Sequence, residues 1–220
     1  MMTKTTEDAL REMPLCFVMA DLVELRIDAI TNVDLDALLS SPGGKVVVTN
    51  RRVEEGGRFR GSEEERVALL CRSVSLKADF VDIEASTDPR LISMVVETIK
   101  ERGDTTQLIV SHHDFTGTPP MNDLVRIVEK SYRYGAHIAK VASWARSMDD
   151  IVAILNLLIT VRRQNRNIIA FCMGDKGKIS RVAAPLFGSF MTYAARERGA
   201  ESAPGQLTVE EIKEILRIVK

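Results

Sequence analysis

The chain has few cysteines and few aromatic residues. It has three cysteines among 220 residues, and aromatic residues make up 5% of it. Cys16, Cys71 and Cys172 lie far apart, form an odd number and show neither a CxxC pair nor the spacing of metal ligands. The sequence therefore predicts reduced, buried thiols in a cytoplasmic protein rather than a disulfide framework or a cysteine-based metal site.

Long apolar runs and an excess of charge are also absent. The apolar run that begins at Pro14 ends at Asp21, far short of the roughly 18 residues of a membrane span. The polar start of the chain carries an acidic pair, Glu7 and Asp8, where a signal peptide would be apolar. Lys and Arg total 30 against 31 Asp and Glu, which removes the global electrostatic argument for a nucleic-acid binder. We expect neither a membrane nor a nucleic-acid partner.

Short runs rich in Val and Ile recur along the chain, separated by longer segments with helical spacing. Hydrophobic residues make up 45% of the chain, and no linker or change of composition divides it, so we expect one domain over residues 1–220. The runs are nearly all apolar, as parallel strands covered on both faces are. Strands are predicted at Leu22–Ile27, Lys45–Thr49, Phe80–Ile83, Gln107–Val110, His137–Ala142 and Asn167–Phe171. Helices are predicted at Asp34–Leu39, Glu63–Lys77, Arg90–Glu101, Asn122–Tyr134, Ser147–Arg163 and Thr208–Val219.

The number of these repeats favours a barrel. An amino-terminal βα unit and a further strand near Leu186–Met191 would bring the total to about eight, which predicts an α/β fold of the (β/α)8 TIM-barrel type. A doubly wound open sheet is the alternative. It is disfavoured because no glycine-rich fingerprint follows the first strand and no acidic residue stands about 20 residues further on to hold a ribose.

Unusual polar residues stand where the predicted strands end. In a (β/α)8 barrel the functional groups lie at the carboxyl ends of the strands, so these residues are the first candidates for a site. They are Glu24, Arg26, Asp28, Asn50, Arg51, Glu84, His112 and His113, with Lys140 inside a strand.

Lys140 stands within a run that reads as a buried strand. An ammonium group there is costly unless it is paired or neutralised, and a neutral amine can attack a ketone or aldehyde to form a Schiff base. A lysine at a strand end that reaches out to water is an equally good interpretation of the sequence alone.

Two adjacent histidines, His112 and His113, follow another apolar strand. Adjacent residues of a strand point to opposite faces, so only one of them can face a site. A hydrogen-bonded histidine without a chemical role is the more common alternative. A metal site is disfavoured, because the remaining histidine, His137, stands in another strand and no Cys or carboxylate completes a cluster.

Three loops carry further polar residues. The loop from Met173 to Arg181 lacks the P-loop spacing, but its free N–H groups and Arg181 could hold an anion such as a carboxylate. The segment from Ser202 to Gln206 is either a lid or a turn before the last helix. Gly56 and Gly57 indicate a tight turn that fixes the carboxylate before them. The loop around this turn is either a basic site for phosphate or nucleic acid, or a solvated loop whose arginines are neutralised by its own glutamates.

Taken in order, these segments resemble type I 3-dehydroquinate dehydratase. The resemblance covers most of the chain. The short length of the chain and the sequence of the Arg51–Arg52 loop are most similar to archaeal members of the family. Each motif is weak alone, whereas their collinear order is specific. The matching segments are Ala20–Asp28, Arg51–Gly57, Val81–Glu84, Ser111–Pro119, Lys140–Ala142, Met173–Arg181, Phe187–Ser189 and Ser202–Gln206.

The resemblance implies a barrel enzyme without a cofactor that dehydrates 3-dehydroquinate to 3-dehydroshikimate in the shikimate pathway. Lys140 matches the lysine that forms an imine with the substrate ketone, and His113 matches the general acid and base. Glu55 matches the carboxylate that orients the histidine. The resemblance also implies a cytoplasmic homodimer.

The resemblance also assigns substrate-binding positions. Arg181 matches the clamp for the substrate carboxylate, and Glu84 matches a carboxylate with a supporting role. The other matches are Glu24, Arg26 and Arg51 around the ring hydroxyls, Ser202 and Gln206 in the lid, and Phe115 and Met173 packed against the ring.

The first βα unit departs from the family. Its strand is normally apolar, whereas residues 1–5 are short and polar, and Pro14 is expected to interrupt the next helix. We therefore expect an atypical first unit.

Other functions remain as alternatives. A class I aldolase would also use a lysine, but it usually favours a phosphorylated substrate and a phosphate nest near the last two strands. A non-catalytic barrel would be favoured if Lys140 or His113 were missing, and both are present. A nucleic-acid binder would rest on Arg51, Arg52, Arg58 and Arg60 and would show salt-sensitive binding.

Overall fold

A computed structural model of the protein describes residues 1–40 and 43–219. The chain forms two compact units, which are described separately. The first comprises Met1–Val110 and Tyr134–Ala136, and the second comprises Ser111–Arg133 and the chain from His137 onward. Strand β4 (Gln107–Asp114) passes from the first unit into the second after Val110.

The first unit is built on three parallel strands paired in chain order. Leu25 of the first strand lies opposite Val48 of the second, and Val48 lies opposite Val81 of the third. The third strand is buried at every residue, as the apolar runs predict for strands covered on both faces. The elements are α1 (Thr6–Met19), β1 (Leu22–Arg26), α2 (Leu35–Leu39), β2 (Lys45–Thr49), α3 (Glu63–Ser75), β3 (Phe80–Glu84) and α4 (Pro89–Glu101).

Capping residues fix where these helices begin. Ser62 and Glu65 form a reciprocal capping box at the start of α3. Asp88 caps α4, whose first residue is Pro89, a position that needs no backbone donor. The helices present aliphatic side chains such as Leu70 and Val95 to the strands, and these side chains are fully buried in one core.

The amino-terminal segment differs from a regular first βα unit. Residues 1–5 form no strand, yet the Met1 carbonyl accepts a hydrogen bond from the Arg26 N–H at 3.2 Å, and the Met1 amine donates to the Glu24 carbonyl. The expected interruption at Pro14 is wrong, because α1 continues through it. Buried Ala9, Met13 and Cys16 anchor one face of this helix. The carbonyl that Pro14 leaves without its helical donor belongs to Leu10, which is exposed and can be hydrated.

The second unit contains a longer parallel pair. Strands β5 and β6 pair over seven residues, from Ile138 opposite Asn167 to Trp144 opposite Met173. Leu157 of α6 and Leu124 of α5 are fully buried in the core of this unit. The elements are α5 (Met121–Arg133), β5 (Ile138–Trp144), α6 (Met148–Arg162), β6 (Asn167–Met173), α7 (Lys178–Ala183) and α8 (Val209–Val219).

The strand predicted near Leu186–Met191 is wrong. A 3-10 helix occupies Ala184–Phe187, and Gly188 ends it with a φ of 96°. Pro185 has no N–H to give to a strand ladder, which favours the turn over an extended segment. One strand-like contact remains beyond the turn, because the Phe190 N–H donates to the Ile168 carbonyl of β6 at 2.7 Å.

No helix among residues 1–40 and 43–219 is both long enough and apolar enough to cross a membrane.

Candidate active site

The first unit holds a buried cluster of charged side chains at the carboxyl ends of its strands. The Arg51 guanidinium, just beyond β2, pairs with Asp82 at 2.9 Å and with Glu84 at 2.8 Å, both on β3. Both carboxylates are fully buried. Burial alone would lower the pKa of Arg51, but the two carboxylates outweigh burial and raise it above its ordinary value. Arg51 is therefore a permanent cation fixed by two partners.

A second arginine, Arg66 of α3, completes this cluster. Its guanidinium lies 2.7 Å from Glu84 and 2.9 Å from Glu63, and it donates to the Asn50 carbonyl at 2.7 Å and to the Thr87 hydroxyl at 2.8 Å. Glu84 therefore lies between the two arginines, a geometry that suits the supporting role predicted for it.

Arg26 and Asp28 form a bidentate pair at the end of β1. The two hydrogen bonds both measure 2.8 Å, and the Asp28 carboxylate also accepts from the Arg51 N–H at 3.2 Å. Burial opposes the charge on Arg26, but the bonds to Asp28 prevail and raise its pKa. Glu24, one strand residue before Leu25, accepts a hydrogen bond from the Thr49 hydroxyl at 2.8 Å. The predicted residues Glu24, Arg26 and Arg51 thus lie in one unit at neighbouring strand ends.

Glu55 ends the 3-10 turn Val53–Glu55 and is buried. Gly56 follows with a φ of 81°, and a Cβ on Gly57 would lie 1.9 Å from the Arg51 carbonyl oxygen, so the predicted tight turn is confirmed. The Ser86 hydroxyl donates to the Glu55 carboxylate at 2.5 Å and accepts from the Arg52 guanidinium at 3.2 Å.

Lys140 of β5 is the central polar group of the second unit. The residue is 3% exposed, so its side chain does not reach out to water. The amine donates a hydrogen bond to the Tyr193 hydroxyl at 3.3 Å and lies 4.3 Å from the centre of the Tyr193 ring. Of the two interpretations that the sequence left open, the structure supports the buried amine.

The two histidines stand near the end of β4, and both are half-buried. Burial lowers the pKa of His112, and Asp114 opposes that shift. The Asp114 carboxylate accepts from the Thr116 N–H at 2.7 Å and from the Gly117 N–H at 3.2 Å, which fixes the turn after the strand. Phe115, predicted to pack against the substrate ring, is 42% exposed.

Arg181 of α7 is fully buried but poorly paired. Its guanidinium stacks on the Phe171 ring at 4.3 Å, and Nη2 donates to the Pro204 carbonyl at 3.2 Å. Within the described residues, Nε and Nη1 have no hydrogen-bond partner. Burial lowers the pKa of Arg181 to about 10. A buried cation with two unused donors is a ready site for an anion.

The segment predicted as a lid lies against the loop that follows β6. The Pro204 carbonyl that binds Arg181 also accepts from the Gly174 N–H at 3.2 Å. Within the segment, the Gln206 side-chain oxygen accepts from the Ser202 N–H at 2.8 Å. Met173, the last residue of β6, is buried at 1% exposure.

Four residues contact the predicted ones although the sequence predicts no role for them. Asp82 could have been found, because a carboxylate in the interior of a buried strand has to face a partner or a site. Tyr193 lies in an irregular segment, where no periodicity marks which side chains are buried. Arg66 and Ser86 likewise carry no local signal of their partners. No group of three or more His, Cys, Asp or Glu in the described part of the chain is arranged to hold a metal ion.

Comparison with known proteins gives a consistent result over the whole chain. The family model described as type I 3-dehydroquinase matches residues 1–220. A 3-dehydroquinate dehydratase from Methanococcus maripaludis is 38% identical over 216 residues, with 98% of this chain and 96% of the relative covered.

Solved structures agree with the sequence relatives. The 3-dehydroquinate dehydratase of Geobacillus kaustophilus superposes with a TM-score of 0.90 at 31% identity, covering 99% of this chain and 88% of the other. That of Aquifex aeolicus gives a TM-score of 0.81 at 34% identity, covering 98% and 96%. The chain belongs to the type I 3-dehydroquinase family.

Proposed function

We propose that the protein dehydrates 3-dehydroquinate to 3-dehydroshikimate, a step of the shikimate pathway, through an imine on Lys140. The observation that carries this proposal is the chemistry of the second unit, which holds a buried amine and a buried guanidinium whose Nε and Nη1 have no partner in the described part of the chain. A ketone can react with the amine and a carboxylate can pair with the guanidinium, so a substrate that carries both groups fits this unit. The names of the similar proteins supply the same substrate.

The first covalent step joins enzyme and substrate. The Lys140 nitrogen adds to the ketone carbon and a C–N bond forms, while the carbonyl oxygen leaves as water with one proton from the amine and one from solvent. The resulting iminium withdraws electrons from the neighbouring carbon, which makes a proton there easier to remove. His113 takes that proton, and the electron pair moves to the nitrogen as an enamine.

The elimination completes the reaction. The enamine electrons return and break the C–O bond to the adjacent hydroxyl, which leaves as water with the proton that His113 carries. Water then hydrolyses the new iminium, which releases the product, the Lys140 amine and one proton to solvent. One molecule of water is lost overall, because the water released in the first step is consumed in the last.

The remaining predicted residues bind the substrate or support the residues that react with it. Arg181 would give the carboxylate a charge-assisted contact from Nε and Nη1, and Ser202 and Gln206 would close that end. Met173 and Phe115 would pack against the ring. Glu24, Arg26 and Arg51 would hold ring hydroxyls, because the ion pairs around the two arginines keep them in place. Glu55 would support the protonated form of His113.

The proposal also covers the fold of the protein, its cellular location and its oligomeric state. The eight-unit barrel would have irregular first and last units: Met1 hydrogen-bonds to β1 although residues 1–5 form no strand, and Phe190 donates one hydrogen bond to β6 although the strand predicted there is absent. We further propose a cytoplasmic homodimer.

Trapping the imine tests the mechanism. The protein is incubated with 3-dehydroquinate, reduced with borohydride and digested, and the modified peptide is located by mass spectrometry. We expect an adduct on Lys140 and none in Lys140→Ala. Accumulation of the dehydrated product without an adduct would refute the imine. Neither adduct nor product from a folded sample would refute the dehydratase, and phosphorylated aldol substrates would be tested next.

A further inference from the structure

Two buried basic side chains of the second unit, Lys140 and Arg181, lie on one pair of aromatic rings. Nζ of Lys140 lies 4.3 Å from the centre of the Tyr193 ring, and Cζ of Arg181 lies 4.3 Å from the centre of the Phe171 ring. The two rings contact each other, with centroids 5.9 Å apart and planes tilted by 54°. Tilted aromatic pairs at this separation are attractive and rigid. The amine and the guanidinium are therefore connected through two packed rings.

Tyr193 makes two different contacts with the amine. Its hydroxyl accepts a hydrogen bond from Nζ at 3.3 Å, and its ring face lies beside the same atom. A ring face attracts a positive charge, and a hydrogen bond fixes its direction. Together they restrict where the end of a flexible four-carbon side chain can lie.

The backbone around Tyr193 is itself fixed, although the segment is irregular. The Thr192 hydroxyl donates to the Arg181 carbonyl at 2.8 Å. On the other side, the Ala195 N–H donates to the Leu207 carbonyl, and the Ala195 carbonyl accepts from the Val209 N–H, both at 2.9 Å. Tyr193 is buried as a result, at 9% exposure.

We propose that Tyr193 is a further positioning residue for the reaction, which holds the Lys140 amine in place and, through Phe171, fixes that place relative to Arg181. The inference rests on the proposed imine function. A substrate that presents a ketone to the amine and a carboxylate to the guanidinium would then meet both groups at a set separation. Misplacement of a reacting atom by about 1 Å can cost about a hundredfold in rate.

Two variants separate the hydroxyl from the ring. Tyr193→Phe keeps the ring and its packing on Phe171, and we expect the rate of borohydride trapping on Lys140 to fall about three- to tenfold. Tyr193→Leu removes both contacts, and we expect a loss of about 30- to 100-fold.

A second measurement distinguishes positioning from a general structural effect. The ligand is the analogue of 3-dehydroquinate that carries a hydroxyl in place of the ketone, so it cannot form an imine. We expect Tyr193→Phe to bind it within about twofold of the parent protein, because Arg181 is unchanged. Tyr132→Phe is the matched control, since the Tyr132 hydroxyl donates to the Asn167 carbonyl and the Arg166 guanidinium lies 4.7 Å from its ring centre. It should trap substrate as the parent does.

Each outcome decides one question. Trapping at the parent rate in both Tyr193 variants would overturn the role of Tyr193 while leaving the imine mechanism intact. A parallel loss of trapping, analogue affinity and melting temperature in Tyr193→Phe would show a structural role and would also overturn it. Absence of an adduct in the parent protein would overturn the imine mechanism, and the role of Tyr193 with it.

Discussion

At the scale of single residues, Arg66 and Arg181 can be compared directly, because both guanidinium groups are buried but they differ in how many partners they have. Arg66 is paired on all sides, whereas Arg181 has unused donors among the described residues and a pKa lowered to about 10 by burial. A lowered pKa of a base means that its charge is less favourable in the folded protein than in the unfolded chain. The folded protein without ligand therefore gains stability as the pH rises from about 10 toward the ordinary pKa of an arginine, because over this range the folded state has released the proton and the unfolded chain still holds it.

We expect Arg181→Met to stabilise the protein without ligand by about 1–3 kcal/mol, because it removes a buried cation that has no carboxylate partner among the described residues. Arg66→Met should destabilise it by about 3–5 kcal/mol, because the buried Glu84 carboxylate loses one of its two arginine partners and the Asn50 carbonyl loses its donor. Urea unfolding measures both, and a large loss of stability in Arg181→Met would contradict the prediction. The same variant should lose affinity for the substrate carboxylate.

Glu55 is tested by removing its charge and keeping its shape. We expect Glu55→Gln to form the trapped imine at the parent rate but to slow turnover roughly 10- to 100-fold, because proton transfer through His113 loses its support. The pH profile of turnover should change as well. Ser86→Ala should have a smaller effect on turnover, since it removes only the hydroxyl that donates to Glu55. Unchanged turnover and an unchanged pH profile in Glu55→Gln would rule out its role.

The individual site residues were predictable only where a motif fixed them. Lys140 and the histidines stand in or next to regular strands, so their order along the chain indicated where they would lie. Ser86 and Tyr193 contact Glu55 and Lys140 across sequence separations of 31 and 53 residues. Such contacts depend on how the chain folds back on itself, and no local pattern encodes them.

At the scale of elements, glycines control the contact between the lid segment and the loop after β6. Gly205 has a φ of 79°, and a Cβ there would lie 2.3 Å from the Gly174 carbonyl oxygen. The adjacent Pro204 carbonyl accepts hydrogen bonds from both Gly174 and Arg181. A side chain at Gly205 would push this loop away and loosen the guanidinium.

We expect Gly205→Ala to raise the KM for 3-dehydroquinate about tenfold through this displacement. Gly199→Ala is the control, because Gly199 also has a positive φ, of 88°, but a Cβ there meets nothing within 4 Å. It should cost about 1 kcal/mol of stability from backbone strain and leave the KM unchanged. Equal KM values in the two variants would contradict the role of the contact.

The regular elements were predicted well from apolar spacing. The strand Lys45–Thr49 begins and ends at the predicted residues, and Ser147 and Asp34 were correctly placed at helix starts. The errors fall where local preference and packing compete. Pro14 lowers helix propensity, yet the buried face of α1 outweighs it, and the apolar residues after Leu186 form a turn because Pro185 and Gly188 favour one.

At the scale of the whole molecule, composition indicated a folded α/β chain, and family membership now supports that interpretation. The single domain over residues 1–220 stays a prediction, because the chain forms two compact units. The homodimer stays a prediction as well, because contacts within one chain do not reveal a partner.

We expect light scattering during gel filtration to give twice the mass of the chain at micromolar concentration. The reason is the resemblance to a family whose members are often dimers. Dilution should not dissociate a stable dimer until the concentration approaches its dissociation constant. A mass equal to one chain would remove this prediction and would leave the proposed reaction unaffected.

The burial of Arg181 has a consequence for how the protein would respond to its ionic surroundings. Mobile ions screen exposed charges over a Debye length of about 10 Å at 0.1 M salt, but they cannot surround a guanidinium that is shielded from solvent. Binding of a carboxylate by Arg181 would thus depend on shape complementarity and on the removal of water from the carboxylate, rather than on long-range electrostatic attraction. Affinity for a carboxylate inhibitor should therefore change little with ionic strength.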